Sequence, residues 1–93
     1  MKAIWNNTVI AESDDTKIVE NNHYFPKDSI KEEYFKLSDS HTRCPWKGKA
    51  FYYDIEVDGK ISKDAAWYYP KTSHAAKPIE NYVAFWNDVK VTD

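Results

Sequence analysis

The sequence predicts a mainly β domain of antiparallel hairpins carrying one short helix. Three observations predict it. Pairs of Asn and Asp cut the first quarter of the chain into four short extended pieces. Residues 49–57 alternate strictly between two faces. Asp58-Gly59, a strong two-residue hairpin signal, follows them directly.

In chain order, "AIWNNTVIAES" has short apolar runs on both sides of Asn6-Asn7. Asn tolerates positive φ, so a tight hairpin is expected there. Asp14-Asp15 turns the chain into "TKIVE", and Asn21-Asn22 turns it into "HYF", which Pro26 ends. "DSIKEEYFKLS" breaks the pattern. Ser29 and Glu32 have capping-box spacing, in which hydroxyl and carboxylate satisfy orphan backbone donors, and Ile30, Tyr34 and Leu37 share a helical stripe. A short helix lying across the sheet is predicted.

The central ribbon has two faces. Phe51, Tyr53, Ile55 and Val57 point one way; Ala50, Tyr52, Asp54 and Glu56 point the other. A tight turn at Asp58-Gly59 sets Val57 opposite Lys60, Tyr53 opposite Asp64, Ala50 opposite Trp67 and Gly48 opposite Tyr69. The second face then bears Tyr52, Trp67 and Tyr69 over a floor of Gly48, Ala50 and Ala65. Large rings above small residues leave a groove. A slip of one residue would turn the whole pattern over. Pro70 and Pro78 bracket a loop, "YVAFW" is a last buried strand, and Asn87-Asp88 turns the chain into "VKV".

With 93 residues, the chain is expected to form one domain over residues 1–93. Four Trp, seven Tyr and four Phe exceed what so small a core can enclose, and some of these rings are expected to line a cleft. The formal charge of −2 with no basic run leaves no phosphate-backbone footprint, so nucleic acid is not an expected partner. A lone cysteine excludes an internal disulfide and a multi-cysteine zinc site. The opening "MKAIWNNTVI" is too polar for a signal peptide or a membrane span; the cytoplasm is the expected compartment.

"NHYFP" (22–26), "CPWKG" (44–48), "YYD" (52–54), "DAAWYYP" (64–70) and "VAFW" (83–86) together resemble the family of domain of unknown function 427, and "AIWN…IAES" fits its first hairpin. The resemblance covers nearly the whole chain. It implies a small β-tent-like fold, also used by methionine sulfoxide reductase B and the thalidomide-binding domain of cereblon, and it brings a nucleotidyltransferase label with it. Wider β-tent relatives tie two hairpins with paired Cys-x-x-Cys motifs on zinc, which this chain lacks. By analogy with the tryptophan cage of cereblon-like domains, Trp46, Trp67 and Trp86 could supply comparable rings.

The nucleotidyltransferase label can be tested on residues. Nucleotidyl transfer asks for clustered carboxylates on Mg²⁺ and usually a Gly-rich phosphate cradle. The chain has two glycines, Gly48 and Gly59, and no Asp-x-Asp pair. No cofactor is expected.

Cys44 precedes Pro45, with Arg43 and Lys47 close enough in sequence to favour a thiolate. As a nucleophile it would need a base: His23 or His41 if the fold brings one there, or Asp64, with His23 and Asp64 the chosen candidates. A buried, inert thiol is the commoner state of a free cysteine. His23, His41 and Cys44 with Asp54 or Asp64 match no ligand spacing, and no metal is expected. Lys47, between Trp46 and Gly48, is a candidate to present its ammonium to an anionic ligand; its bland alternative is a solvated loop lysine. Tyr24, Trp46, Tyr52, Trp67 and Tyr69 are the candidate cleft walls, each weighed against plain core packing.

The expected function is binding of a small anionic or aromatic molecule in that cleft. A cofactor-free enzyme using Cys44 and a protein-interaction domain are the alternatives, and a homodimer is the oligomer left open. No membrane partner is expected.

Overall fold

The computed structural model describes all of residues 1–93. It is mainly β, and every paired strand is antiparallel. The strands are β1 (Lys2–Trp5), β2 (Thr8–Glu12), β3 (Lys17–Val19), β4 (Asn22–Tyr24), β5 (Phe35–Cys44), β6 (Gly48–Val57), β7 (Lys60–Tyr68), β8 (Val83–Phe85) and β9 (Lys90–Thr92). They form a sheet β2-β1-β9, a ribbon β3-β4 and a sheet β5-β6-β7-β8. The ribbon docks on β8, where Phe25 and Val83 exchange backbone bonds of 2.7 and 2.8 Å. No helix is long and apolar enough to cross a membrane.

The hairpin turns follow from residues that accept φ > 0. Asn6 and Asn7 have φ of 51° and 60°, and Asp58 and Gly59 have 52° and 78°, the signs a two-residue hairpin of matching twist needs. The β3-β4 turn sits one residue earlier than expected, at Glu20 and Asn21 (φ 53° and 66°), so Asn22 already belongs to β4.

The predicted helix does not form. Lys27–Ser29 and Glu32–Tyr34 are isolated 3-10 turns, and Phe35 begins β5. The Ser29 hydroxyl donates to Pro26 O at 2.6 Å, and no side chain caps either turn. Ile30 is extended and bridges Ala11, while Lys31 N–H donates to Ile10 O at 2.8 Å. A helix of two turns has too few internal bonds to outweigh its nucleation, so pairing with β2 takes the backbone instead. Leu37, expected on an inward stripe, is 63% exposed.

The β6-β7 register starts as expected, with Val57 opposite Lys60, and then shifts by two residues. Beyond the shift, Tyr53 faces Ala66, Tyr52 faces Trp67 and Phe51 faces Tyr68. These pairs replace the expected Tyr53–Asp64 and Ala50–Trp67. A two-residue shift preserves parity, so beyond the bulge the two faces keep their residues. β5 shifts by two at the same level, between Leu37 and His41. β6 thus runs straight between two bulged neighbours, and Asp64 of β7 (φ 53°) ties them together. Its carboxylate accepts hydrogen bonds from Ser38 and from Ser40 (2.7 Å) of β5, and its N–H donates to Asp54 Oδ1 of β6 at 2.8 Å.

The parity builds two cores on the two faces of one sheet. Tyr53, Ile55, Val57, Ala66, Tyr68, Val83 and Phe85 pack with Ala3, Ile10 and Ala11 of the β2-β1-β9 sheet. On the other face, Ala50, Tyr69 and Ala84 pack with Tyr24 and with Ala76 and Ile79 of the 3-10 segment His74–Ile79. Ala65, expected on the floor of the groove, belongs to the first core because the bulge at Asp64 turns it there; Ala84 of β8 joins Ala50 on the second face instead.

Candidate functional site

Four rings meet on the second face. Tyr52 comes from β6, Trp67 and Tyr69 from β7 and its exit, and Trp86 from the residue after β8. They line a hollow of about 220 Å³. Trp67 and Trp86 stand nearly perpendicular, at 85° with centroids 5.9 Å apart, and form a corner. Tyr52 flanks Trp86 at 6.4 Å. Three of the four rings are steadied at their polar tips. Tyr52 Oη shares a 3.0 Å hydrogen bond with Thr42 Oγ1, Trp67 Nε1–H donates to Tyr24 Oη at 3.3 Å, and Trp86 Nε1–H donates to Asp64 O. Trp86 nonetheless stays 48% exposed. A large ring held in place and left open to solvent is suited to contact with a ligand.

Tyr52, Trp67 and Tyr69 are therefore brought together as their alternation predicts. Trp86 completes them. Its signal was the same alternation: Ala84 and Trp86 share a face, and Ala84 lies opposite Trp67. Tyr24 does not line the hollow. It is fully buried behind Trp67, edge-on at 6.2 Å, and burial pushes its phenol above the ordinary range. Trp46 also lies apart, 39% exposed in the turn before β6.

Lys47 departs most from expectation. Its side chain is 7% exposed and its ammonium pairs with Glu20, 53% exposed, in the β3-β4 turn. The ammonium also sits 5.2 Å from the Trp46 ring centre and 5.6 Å from that of Tyr69. Burial opposes its charge, but the Glu20 hydrogen bond and nearby phenols prevail and hold its pKa above the ordinary lysine value. The Lys47 bond, aided by its charge, holds Glu20 below the usual carboxylate range. Lys47 is a tether between turns, already satisfied, and not an open rim cation.

The three catalytic candidates do not assemble. Cys44 is half-buried at the end of β5, opposite Gly48, against the second core. The His23 ring is 3.3 Å from Thr16 Oγ1, and the Asp64 carboxylate is held by Ser38 and Ser40. No hydrogen bond joins Cys44 to either. The Ser38 and Ser40 hydrogen bonds hold the Asp64 carboxyl below its usual range, the opposite of what a general base near neutrality needs. Asp54 pairs with Lys63 at 3.5 Å. No three His, Cys, Asp or Glu side chains converge as a metal would require, so the residues do not supply the carboxylate cluster that nucleotidyl transfer on Mg²⁺ needs.

Comparison with curated proteins finds no match to the chain. The family profile described as domain of unknown function (DUF427), carrying the short name NTP_transf_9, matches residues 1–93. With the five motifs folded into one sheet and its two covering layers, and the profile matched from end to end, this chain belongs to the DUF427 family of domains of unknown function.

Proposed function

We propose that this protein is a small-molecule binding domain that seats a flat aromatic group in the corner made by Trp67 and Trp86. The observation that carries it is the hollow of about 220 Å³ whose lining is four aromatic side chains, Tyr52, Trp67, Tyr69 and Trp86, with no charged residue among them. A planar ring can stack on one indole while its edge meets the perpendicular one, the geometry aromatic quadrupoles favour. The aromatic half of the sequence expectation carries forward. The anionic half loses its residue, because Lys47 is committed to Glu20.

Quenching of tryptophan fluorescence tests this directly, using adenosine, benzoate and tetramethylammonium as neutral planar, anionic planar and non-planar cationic probes. Saturable quenching by a planar probe is expected. Trp86→Ala should weaken it by about 1–2 kcal/mol, roughly tenfold, with little change in melting temperature because Trp86 lies outside both cores. Equal affinity in Trp86→Ala, or saturation by tetramethylammonium alone, would sink the reading.

A further inference from the structure

We infer a second ligand site on the opposite face of β6, for a small phosphate-bearing anion. Residues 70–73 cross the β5-β6 hairpin at its turn, where Gly48 bridges Thr72 and Ser73 N–H donates to Lys47 O at 3.2 Å. The crossing depends on Gly48. Its φ is 121°, and a Cβ there would lie 2.8 Å from Lys71 O. Between the hairpin and the crossing segment lies a hollow of about 420 Å³, lined by Arg43, Gly48, Lys49, Phe51 and residues 70–73.

Three cations surround this hollow: Arg43, Lys49 and Lys71. None of them forms an ion pair, although the chain has more acids than bases. Their proximity is imposed by the backbone. Arg43 and Lys49 are direct cross-strand partners, an arrangement in which like charges repel and destabilise the ribbon. The Gly48–Thr72 bridge then brings Lys71 to the same place. Lys49 rests its ammonium 5.4 Å from the Phe51 ring centre, which leaves it without an anionic partner. The carboxylate that reaches the crossing segment, Glu80, is already occupied: it accepts from Thr72 N–H and Thr72 Oγ1–H, both at 3.2 Å, and from Lys77 at 2.9 Å.

An anion with several oxygens would relieve the repulsion. The Arg43 guanidinium offers a planar fork matched to phosphate, and the two lysines add point charges. Lys49 and Phe51 share the face that Tyr52 does not, so this site is independent of the aromatic hollow and survives if that one binds nothing.

Backbone amide NMR, titrating pyrophosphate at constant ionic strength, provides the test. Saturable shifts confined to residues 43–51 and 70–73 are expected. Arg43→Ala and Lys71→Ala should each weaken affinity about tenfold, the loss of one charge-assisted hydrogen bond. Lys49→Glu separates this site from an ordinary lysine-rich surface. It places opposite charges across the ribbon, so the protein should melt a few degrees higher while losing its pyrophosphate response. Shifts spread over all lysines, unchanged affinity in Arg43→Ala, or a short oligonucleotide binding more tightly than pyrophosphate would each overturn the proposal.

Discussion

Lys47 shows what a residue's neighbours in sequence leave out. Trp46 and Gly48 on either side mark a turn, and turns are where lysines meet solvent. The partner that closes it in, Glu20, is 27 residues away in a turn with no pattern pointing to it. By contrast, Tyr52, Trp67 and Tyr69 could be placed from alternation alone, because a side chain's face follows from strand parity. The pair gives a prediction with two pH limits. Glu20 lies below its ordinary value of 4.5, so its contribution is present above that value and is lost as the pH falls through the lower folded pKa. Lys47 lies above its ordinary 10.5, so its contribution is present below 10.5 and is lost as the pH rises through the higher folded value. Lys47→Ala should lower the melting temperature at neutral pH, about 4–8 °C for each kcal/mol lost in a domain of this size. That loss should shrink towards both limits. A melting temperature unchanged at pH 7 would show that the contact with Glu20 does not hold the turns together.

At the scale of elements, hairpins were legible and bulges were not. Asn6-Asn7 and Asp58-Gly59 declare their turns locally because the conformation they need is local. The paired bulges of β5 and β7 have no such signature. They exist because Asp64 can adopt φ 53° and has Ser38 and Ser40 to hold its carboxylate across β6. The misplaced helix has the same origin: Ser29 and Glu32 match a local rule, but Ile30 and Lys31 meet β2 and obey a distant one. The bulge matters to the candidate site. It presents Asp64 O to Trp86 Nε1 and Ala65 O to Trp86 N at 3.0 Å. Asp64→Ala removes the carboxylate and leaves a Cβ residue at positive φ, a strain of about 1–3 kcal/mol. Asp64→Gly removes the carboxylate without that strain. Both should shift the Trp86 indole N–H resonance, with Asp64→Ala the less stable. If the resonance stays put in both, the bulge does not position Trp86. Because Ser38 and Ser40 hold the Asp64 pKa below its ordinary 3.8, its contribution is present above 3.8 and is lost as the pH drops through the lower folded value. The difference between wild type and Asp64→Gly should therefore narrow in acid.

On the scale of the molecule, one sheet serves two cores, and their coupling is a property that no stretch of sequence displays. Tyr53 and Tyr69 report on them separately. Tyr53 stacks on Tyr68 at 4.9 Å in the first core, while Tyr69 is buried in the second with Tyr24. Burial is the largest cause that raises each phenol, and both are pushed up to about 12 from an ordinary 10.0. A raised folded pKa stabilises fully below 10.0 and loses its contribution as the pH rises through about 12. Both cores are thus strained by alkali over the same window. β6 and β7 run through both, and neither face can separate without breaking the strands that carry the other. Unfolding should be a single cooperative transition in which the Tyr53 and Tyr69 phenols ionise together as the backbone signal is lost. Phenolate absorbance followed alongside circular dichroism during a pH titration checks this, with Tyr69→Phe removing the Tyr69 contribution and leaving that of Tyr24 in the same core. Two separate steps, with Tyr69 ionising while the dichroism of the sheet persists, would mean that the layer formed by Tyr24 and residues 74–79 opens on its own. One wall of the aromatic hollow would then be mobile, because Tyr69 belongs to both that layer and the hollow's lining.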